Sequence, residues 1–485
     1  MNFMQLLENE LNLTTTENDD YAYPTTQYAN LDFFGIAGAS RHDQQQVLSL
    51  FEKALIENED TAIMNLFYLR DIRGGLGERQ SFKTCYKYLC NQLPDKAIAL
   101  FPFIVKYGRY DDLFVAKGTK VETAMVNFVE EQLHNDIENY LKDGTCSLLS
   151  KWLPSINASN NETRSLAKFF AKRFGYTYQE YRQTLSMLRK GKIIENYLRE
   201  KDYTFDYETV PSVAMHKYRQ AFIRNDEEYF REYLSAVKKG EKTIHTQTLF
   251  PYDIVREYKR HMNVLEIDAM QAKWDALERT HDTGNTIVVR DGSGSMTWNN
   301  MIPYNIATSL AILFSEQLTG PFKDCFITFS SEPKIIDFNL NHCESLKDKI
   351  DLCYQLDDYT STDIEKVYNL IYGASLKITN PKDYIQRIVI ISDMEFDQGT
   401  TQVPTYESMK TKFEQANIPL PEIVYWNVEA RKMHFAARAD QPNIRFVSGA
   451  SNHIIDAVIH NKACDATTFM LQTLEKYKEV TYDYS

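Results

Sequence analysis

The sequence predicts a multidomain protein: an all-α N-terminal part, then a C-terminal α/β part with a doubly wound, mainly parallel sheet. Three observations predict it. Residues 42–260 read as helix after helix, with apolar residues three and four apart. From about residue 283 the rhythm changes to short β-branched runs alternating with helical patterns. The 485 residues, 43% hydrophobic and 13% aromatic, are enough for two or three cores and too apolar for a disordered chain.

In chain order, residues 1–30 form an N-terminal segment with neither the basic start nor the apolar run of a secretory leader. Residues 31–262 form the helical domain. In VETAMVNFVEEQLHNDIENYL, the residues Val121, Met125, Phe128, Val129, Leu133, Ile137 and Leu141 make one apolar stripe. SFKTCYKYLC, SLAKFFAKRFG, YRQTLSMLRK and EEYFREYLSAVKKG behave similarly. Helices of this length with short breaks suit stacked hairpins. In RDIRGGLGERQ (70–80), Gly74 and Gly75 are expected to end a helix in the left-handed cap conformation. Arg70, Arg73 and Arg79 then surround one corner, open either to phosphates or to pairing with Asp71 and Glu78.

Residues 263–282 are expected to hold a linking helix, EIDAMQAKWDALERT, and 283–485 the α/β domain. Its strands are predicted at 286–289, 325–330, 387–392, 422–428 and 444–449. Helical patterns such as IPYNIATSLAILFSEQL, DIEKVYNLIYGASL, YESMKTKFEQAN and HIIDAVIH lie between most of them. In such sheets, sites form beyond the carboxyl ends of the strands.

Several classes are excluded or disfavoured. No run approaches the roughly 18 apolar residues of a membrane span. The seven scattered cysteines lack C-x-x-C, which fits a reduced, cytoplasmic protein without structural zinc. The sequons at Asn157 and Asn161 are then accidental. No stretch supplies G-x-x-x-x-G-K-[ST], so the acidic end of IVIISDME is not that of an ATPase strand. No base is placed for catalysis, and an enzyme is not expected. His342 and His453, near predicted loops, read as solvated or capping residues.

The chemistry-bearing stretch is TIVVRDGSGSM (286–296). An apolar strand runs into Asp291, Ser293 and Ser295, spaced D-x-S-x-S, with Gly292 and Gly294 easing the turn. Alternate residues on a tight turn can aim oxygens at one hard divalent cation. Two further oxygen donors stand at later strand ends: Thr362, in YTSTDIEKV, and Asp393, in IVIISDMEFD. Glu395 and Asp397 add negative charge nearby.

This order resembles the von Willebrand A domain (a Rossmann-like fold) with its metal-ion-dependent adhesion site, over about residues 283–485. The resemblance implies that Ser293, Ser295 and Thr362 offer hydroxyls to Mg²⁺. Asp291 and Asp393 would bind it directly or through water. One position stays open for a partner protein's carboxylate.

The pairing of a helical half with such a domain resembles the Ro ribonucleoproteins. Their TROVE half is a HEAT-like helical repeat of a kind that closes into a ring. The pattern is carried by RDIRGGLGER, YGRYDDL, KWLPS, YRQTLSMLR, VPSVAMHKY and LFPYDIV, and is similar to a relative family known as a domain of unknown function. The resemblance implies binding of small or single-stranded RNA. Net charge is −13, yet residues 161–260 sum to +6. Within them Lys168, Lys172, Arg173, Arg182, Arg189, Lys190 and Lys192 are candidates for phosphate contact. Tyr176, Tyr178 and Tyr181 lie among them as candidates for base stacking or for the core. The competing reading is a Mg²⁺-dependent protein-interaction scaffold without RNA.

Overall fold

The computed structural model describes residues 12–190, 194–282, 284–329, 332–356, 361–401, 403–461 and 465–482. The chain forms two compact units. One comprises Met1–Glu78 with Pro211–Lys478, the other Arg79–Val210 with Glu479–Ser485. Residues 31–262 are thus shared between the two.

The first unit begins with two short antiparallel strands, β1 (Thr14–Thr15) and β2 (Tyr21–Ala22). Three helices follow: α1 (Ala29–Ile36), α2 (Gln44–Glu57) and α3 (Glu59–Arg70). Asp43 caps α2 by accepting from Gln45 and Gln46, and Asn58 caps α3 by accepting from Thr61. After α3 the left-handed glycine is Gly77, at φ 72°, not Gly74 or Gly75. Gly75 answers a steric need instead, since a Cβ there would run into the Tyr68 carbonyl. The expected pairings at this corner change as well. Glu78 pairs with Arg41 at 3.3 Å, and Asp71 accepts from Arg73 N and Tyr477 OH.

The second unit is helical. Its main helices are α4 (Arg79–Gln92), α5 (Glu122–Asp143), α6 (Asn161–Arg173) and α7 (Tyr178–Leu188). Arg79, at the start of α4, pairs with Asp111 and Asp112. On α5, Val121, Met125, Val129 and Leu133 are buried as the period predicts, while Leu141 is 72% exposed. The stripe ends early because buried Asp136 receives Ser147 N (2.9 Å), Ser147 Oγ (2.7 Å) and Gln132 Nε2 (2.9 Å). Local polar bonding therefore replaces apolar packing in the last two turns.

The chain re-enters the first unit through α8 (Ser212–Asn225), α9 (Glu227–Lys238) and α10 (Val264–Asp275). A capping box, Asn263 with Glu266, starts α10. The six-stranded sheet follows, with strands β3 (Thr286–Asp291), β4 (Cys325–Phe329), β5 (Ile335–Asp337), β6 (Arg387–Ser392), β7 (Glu422–Asn427) and β8 (Ile444–Ser448). Their order is β5-β4-β3-β6-β7-β8, all parallel except the β4–β5 pair.

The intervening helices are α11 (Trp298–Gln317), α12 (Ile364–Ser375), α13 (Thr405–Gln415), α14 (His453–His460) and α15 (Ala466–Leu474). On one sheet face, Tyr368 of α12 meets Tyr425 OH to OH at 2.9 Å, and Tyr372 packs on Phe413 of α13. On the other, buried Arg290 donates to Thr308 of α11 at 2.9 Å, and Arg445 lies over Phe469 of α15. The edge strand β8 is covered by α1: Ser448 Oγ donates to the Phe34 carbonyl, and Gly38 N donates back to that Oγ. From β3 the chain moves outward to β4 and β5, then returns to place β6 on the other side of β3. The order reverses between β3 and β6, which puts the crevice at Asp291 and Ser392.

Candidate cation site at the strand ends

The register pairs Arg290 with Ile391, so the two strands end side by side. Ser392 Oγ donates to Asp291 Oδ2 at 2.5 Å, and Ser293 N donates to Asp291 Oδ1 at 2.8 Å. Ser293 and Ser295 hydroxyls are 2.9 Å apart. Ser295 hydrogen-bonds the Asp393 side chain, whose Oδ2 also receives Arg431 Nη2 at 3.0 Å. Four of the predicted ligands thus form one hydrogen-bonded chain.

The fifth, Thr362, bonds the loop beyond Asp393 rather than those four. Its Oγ1 contacts the Glu395 carbonyl (2.8 Å) and Asp397 (2.9 Å), and it accepts from Asn18 Nδ2 at 3.1 Å. Asp363 caps α12 by accepting from Lys366 N. The loop turns at Met394, which adopts a left-handed φ of 66°.

Asp291 and Asp393 are 0% and 1% exposed. Burial, then the charge of Asp393, pushes the Asp291 carboxyl up to about 7. Burial also raises Asp393, opposed by Arg431. Glu395 and Glu429, each buried, rise to about 7 for the same reason. A region with four buried carboxylates and few compensating charges favours a cation. The donors are carboxylates and hydroxyls, the hard oxygens that suit Mg²⁺ rather than zinc. Glu395 Oε1 is buried without a hydrogen-bond partner among the described residues. The residues present therefore fit a divalent ion. Among the described residues no group of three His, Cys, Asp or Glu is arranged as a metal cage.

Sequence reasoning missed Glu17, Asn18, Glu429 and Arg431. Glu429 and Arg431 follow β7 in WNVEARK, and the strand-end rule applied to that strand finds them. His42 Nδ1 lies 2.6 Å from Glu429 Oε1, and His434 Nε2 is 3.0 Å from the Met394 carbonyl. Nothing local in the sequence marks Glu17.

The basic residues of the second unit separate into two groups. Lys168 and Lys172 on α6, Arg182 on α7, and Lys190 are exposed. Lys168 Nζ lies 5.8 Å from the ring centre of Tyr178, which is 51% exposed. Arg173 is exposed as well and pairs with Glu122 at the surface. Arg189 donates to the carbonyls of Ser150 (2.7 Å) and Leu153 (2.6 Å) and to Ser155 Oγ (2.7 Å), so its guanidinium serves the fold. Tyr181 is buried and donates to Pro154 O, which removes it as a stacking platform. Lys192 lies outside the described residues.

Two family descriptions match, each over less than half the chain. Residues 285–483 match Domain of unknown function (DUF7788), and residues 121–302 match Domain of unknown function (DUF2828). The chain is 26% identical over 515 residues to the uncharacterised protein L728 of Acanthamoeba polyphaga mimivirus, covering 96% of this chain and 88% of that one. Among solved structures it is similar to the RO (RSR) protein of Deinococcus radiodurans, at 12% identity and a TM-score of 0.41. That match covers 93% of this chain and all of that one. It is also similar to proximal thread matrix protein 1 from the mussel byssus, at 13% identity and a TM-score of 0.26, over 38% and 48% of the two chains. Among the described residues no helix is long and apolar enough to cross a membrane.

Proposed function

We propose that the protein is a non-catalytic, cytoplasmic RNA-binding protein of the Ro-like type. Its sheet is the core of a von Willebrand A-like domain that holds Mg²⁺, and its HEAT-like helices bind small or single-stranded RNA. The observation that carries the first half is the cluster of Asp291, Ser293, Ser295 and Asp393 at the point where strand order reverses. A cation bound there would offer a position to an acidic group of a partner protein. The protein's own share is to keep Asp291 and Asp393 out of water and to fix the serine hydroxyls by the turn after β3. The RNA half is supported by exposed Lys168, Lys172, Arg182 and Lys190 beside exposed Tyr178. Such a surface gives salt-sensitive contact with phosphates and a ring on which a base stacks.

The second reading, a cation-dependent protein scaffold without RNA, is favoured by the bonding of the Arg189 guanidinium within the fold. Crosslinking in the native cell, purification at high salt and sequencing of bound RNA separates the two. The control is a Lys168→Glu, Lys172→Glu, Arg182→Glu chain. A defined small RNA, lost in the control, supports the first reading. RNA at background level leaves the scaffold.

A further inference from the structure

The turn between β1 and β2 lies on the candidate cation site although it is far away in sequence. Thr16 Oγ1 donates to the Phe396 carbonyl at 2.6 Å, and Glu17 N donates to Glu395 Oε2 at 2.6 Å. Asn18 Nδ2 reaches the Glu395 carbonyl at 2.8 Å and Thr362 Oγ1 at 3.1 Å, while Gln398 N donates to the Asn18 carbonyl. These bonds hold the turn against the two loops that carry Thr362 and Asp393.

The Glu17 side chain, about one-third exposed, meets Arg431 at this contact. Its Oε2 lies 3.0 Å from Arg431 Nη2, and that same nitrogen lies 3.0 Å from Asp393 Oδ2. Two oxygens so placed are within about 6 Å of each other, while two oxygens on one Mg²⁺, each about 2 Å from it, are within about 4 Å. A shift of about 2 Å would bring the two oxygens onto one ion. A guanidinium with a single charge now joins the two carboxylates. Beside them Glu395 Oε1 is a buried acceptor that receives no hydrogen bond among the described residues, with His434 Nδ1 4.0 Å away.

We propose that Glu17 is this chain's own occupant of the cation site, delivering a carboxylate to the position otherwise open to an acidic partner. The inference rests on the cation reading above. A divalent ion at Asp393 takes over the role of the Arg431 guanidinium and draws Glu17 onto itself. An outside carboxylate then binds only by displacing Glu17.

The test uses Mn²⁺ with the full chain and with Glu17→Gln, Glu17→Ala and Asp291→Asn. Affinity is measured by calorimetry. The water on bound Mn²⁺ is measured by proton relaxation. The expected result is that both Glu17 variants bind Mn²⁺ roughly tenfold more weakly. Each should also carry one more exchangeable water on the ion, while Asp291→Asn loses binding. Equal affinity and equal hydration in the natural chain and both Glu17 variants, with Asp291→Asn still defective, overturns the role of Glu17 and leaves the cation site intact. Absence of Mn²⁺ binding by the natural chain at millimolar ion overturns the cation reading and this inference with it. Circular dichroism of Glu17→Gln, an isosteric change at a side chain about one-third exposed, verifies that any loss is not unfolding.

Discussion

Asp291 is held out of water by neutral donors, Ser392 Oγ and Ser293 N. Its pKa, raised to about 7, lies above the value of an unfolded aspartate. The linked stability is therefore fully present below about pH 4 and lost as pH rises through about 7. A cation reverses this by stabilising the charged form, and protons compete with it. Cation affinity should fall as pH drops below 7, which calorimetry at pH 6, 7 and 8 measures. At a hundredfold excess over Kd the ion adds about 3 kcal/mol to native stability. Asp291→Asn should lose that increment and show a higher Tm without cation. Asp20 gives a second, simpler case. Burial raises it to about 6, against a hydrogen bond from Thr405 Oγ1. Its contribution is lost as pH rises from about 4 to 6. Asp20→Asn should flatten the pH dependence of Tm in that window and stabilise the protein at pH 7.

At the scale of elements, α6 and α7 carry cations of two kinds, and substitution separates them. Reversing Lys168, Lys172 and Arg182 to Glu should weaken RNA binding equally across sequences. With roughly −0.7 per phosphate on single strands, the slope of log affinity against log salt should shrink by about 2. Fluorescence anisotropy at several salt concentrations reads it. Arg189→Ala removes three donors from part-buried acceptors and should cost on the order of 2 kcal/mol in urea unfolding, with little change in RNA affinity of the folded protein. Sequence could not tell these arginines apart, because helical period gives a side chain's direction but not its acceptor. The same limit explains Leu141, which fits the α5 stripe but is exposed once Asp136 turns inward. Short strands were illegible for a different reason. β1, β2 and β5 are two or three residues long, below the length at which alternation is visible. The long, doubly buried strands were legible, and β6 spans the predicted 387–392.

At the scale of the whole molecule, composition and the change of rhythm made the helical-plus-α/β class legible. The grouping of helices into units was not, since amphipathic faces do not name their partners. The strand-end logic pointed to Asp291, Ser293, Ser295 and Asp393, which lie together in the fold, but Glu17, whose amide donates to Glu395 across 378 residues, carries no local signature. Cation binding should be felt locally. Hydrogen exchange with and without Mg²⁺ should show added protection in 286–296 and 390–397, and none in 122–188. Protection gained equally in both stretches would contradict a site confined to the first unit.

The docking of β1 and β2 has a consequence for biogenesis. A ribosome adds roughly 5–20 residues per second, so the turn at Glu17 leaves the tunnel on the order of 20–80 s before Glu395 does. α1 waits longer still for Ser448. During that interval the apolar face of α1 and the unpaired edges of β1 and β2 are open to chaperones or to wrong partners. A nascent chain stalled before β6 should bind such factors through residues 12–40, and release them once β8 has been translated.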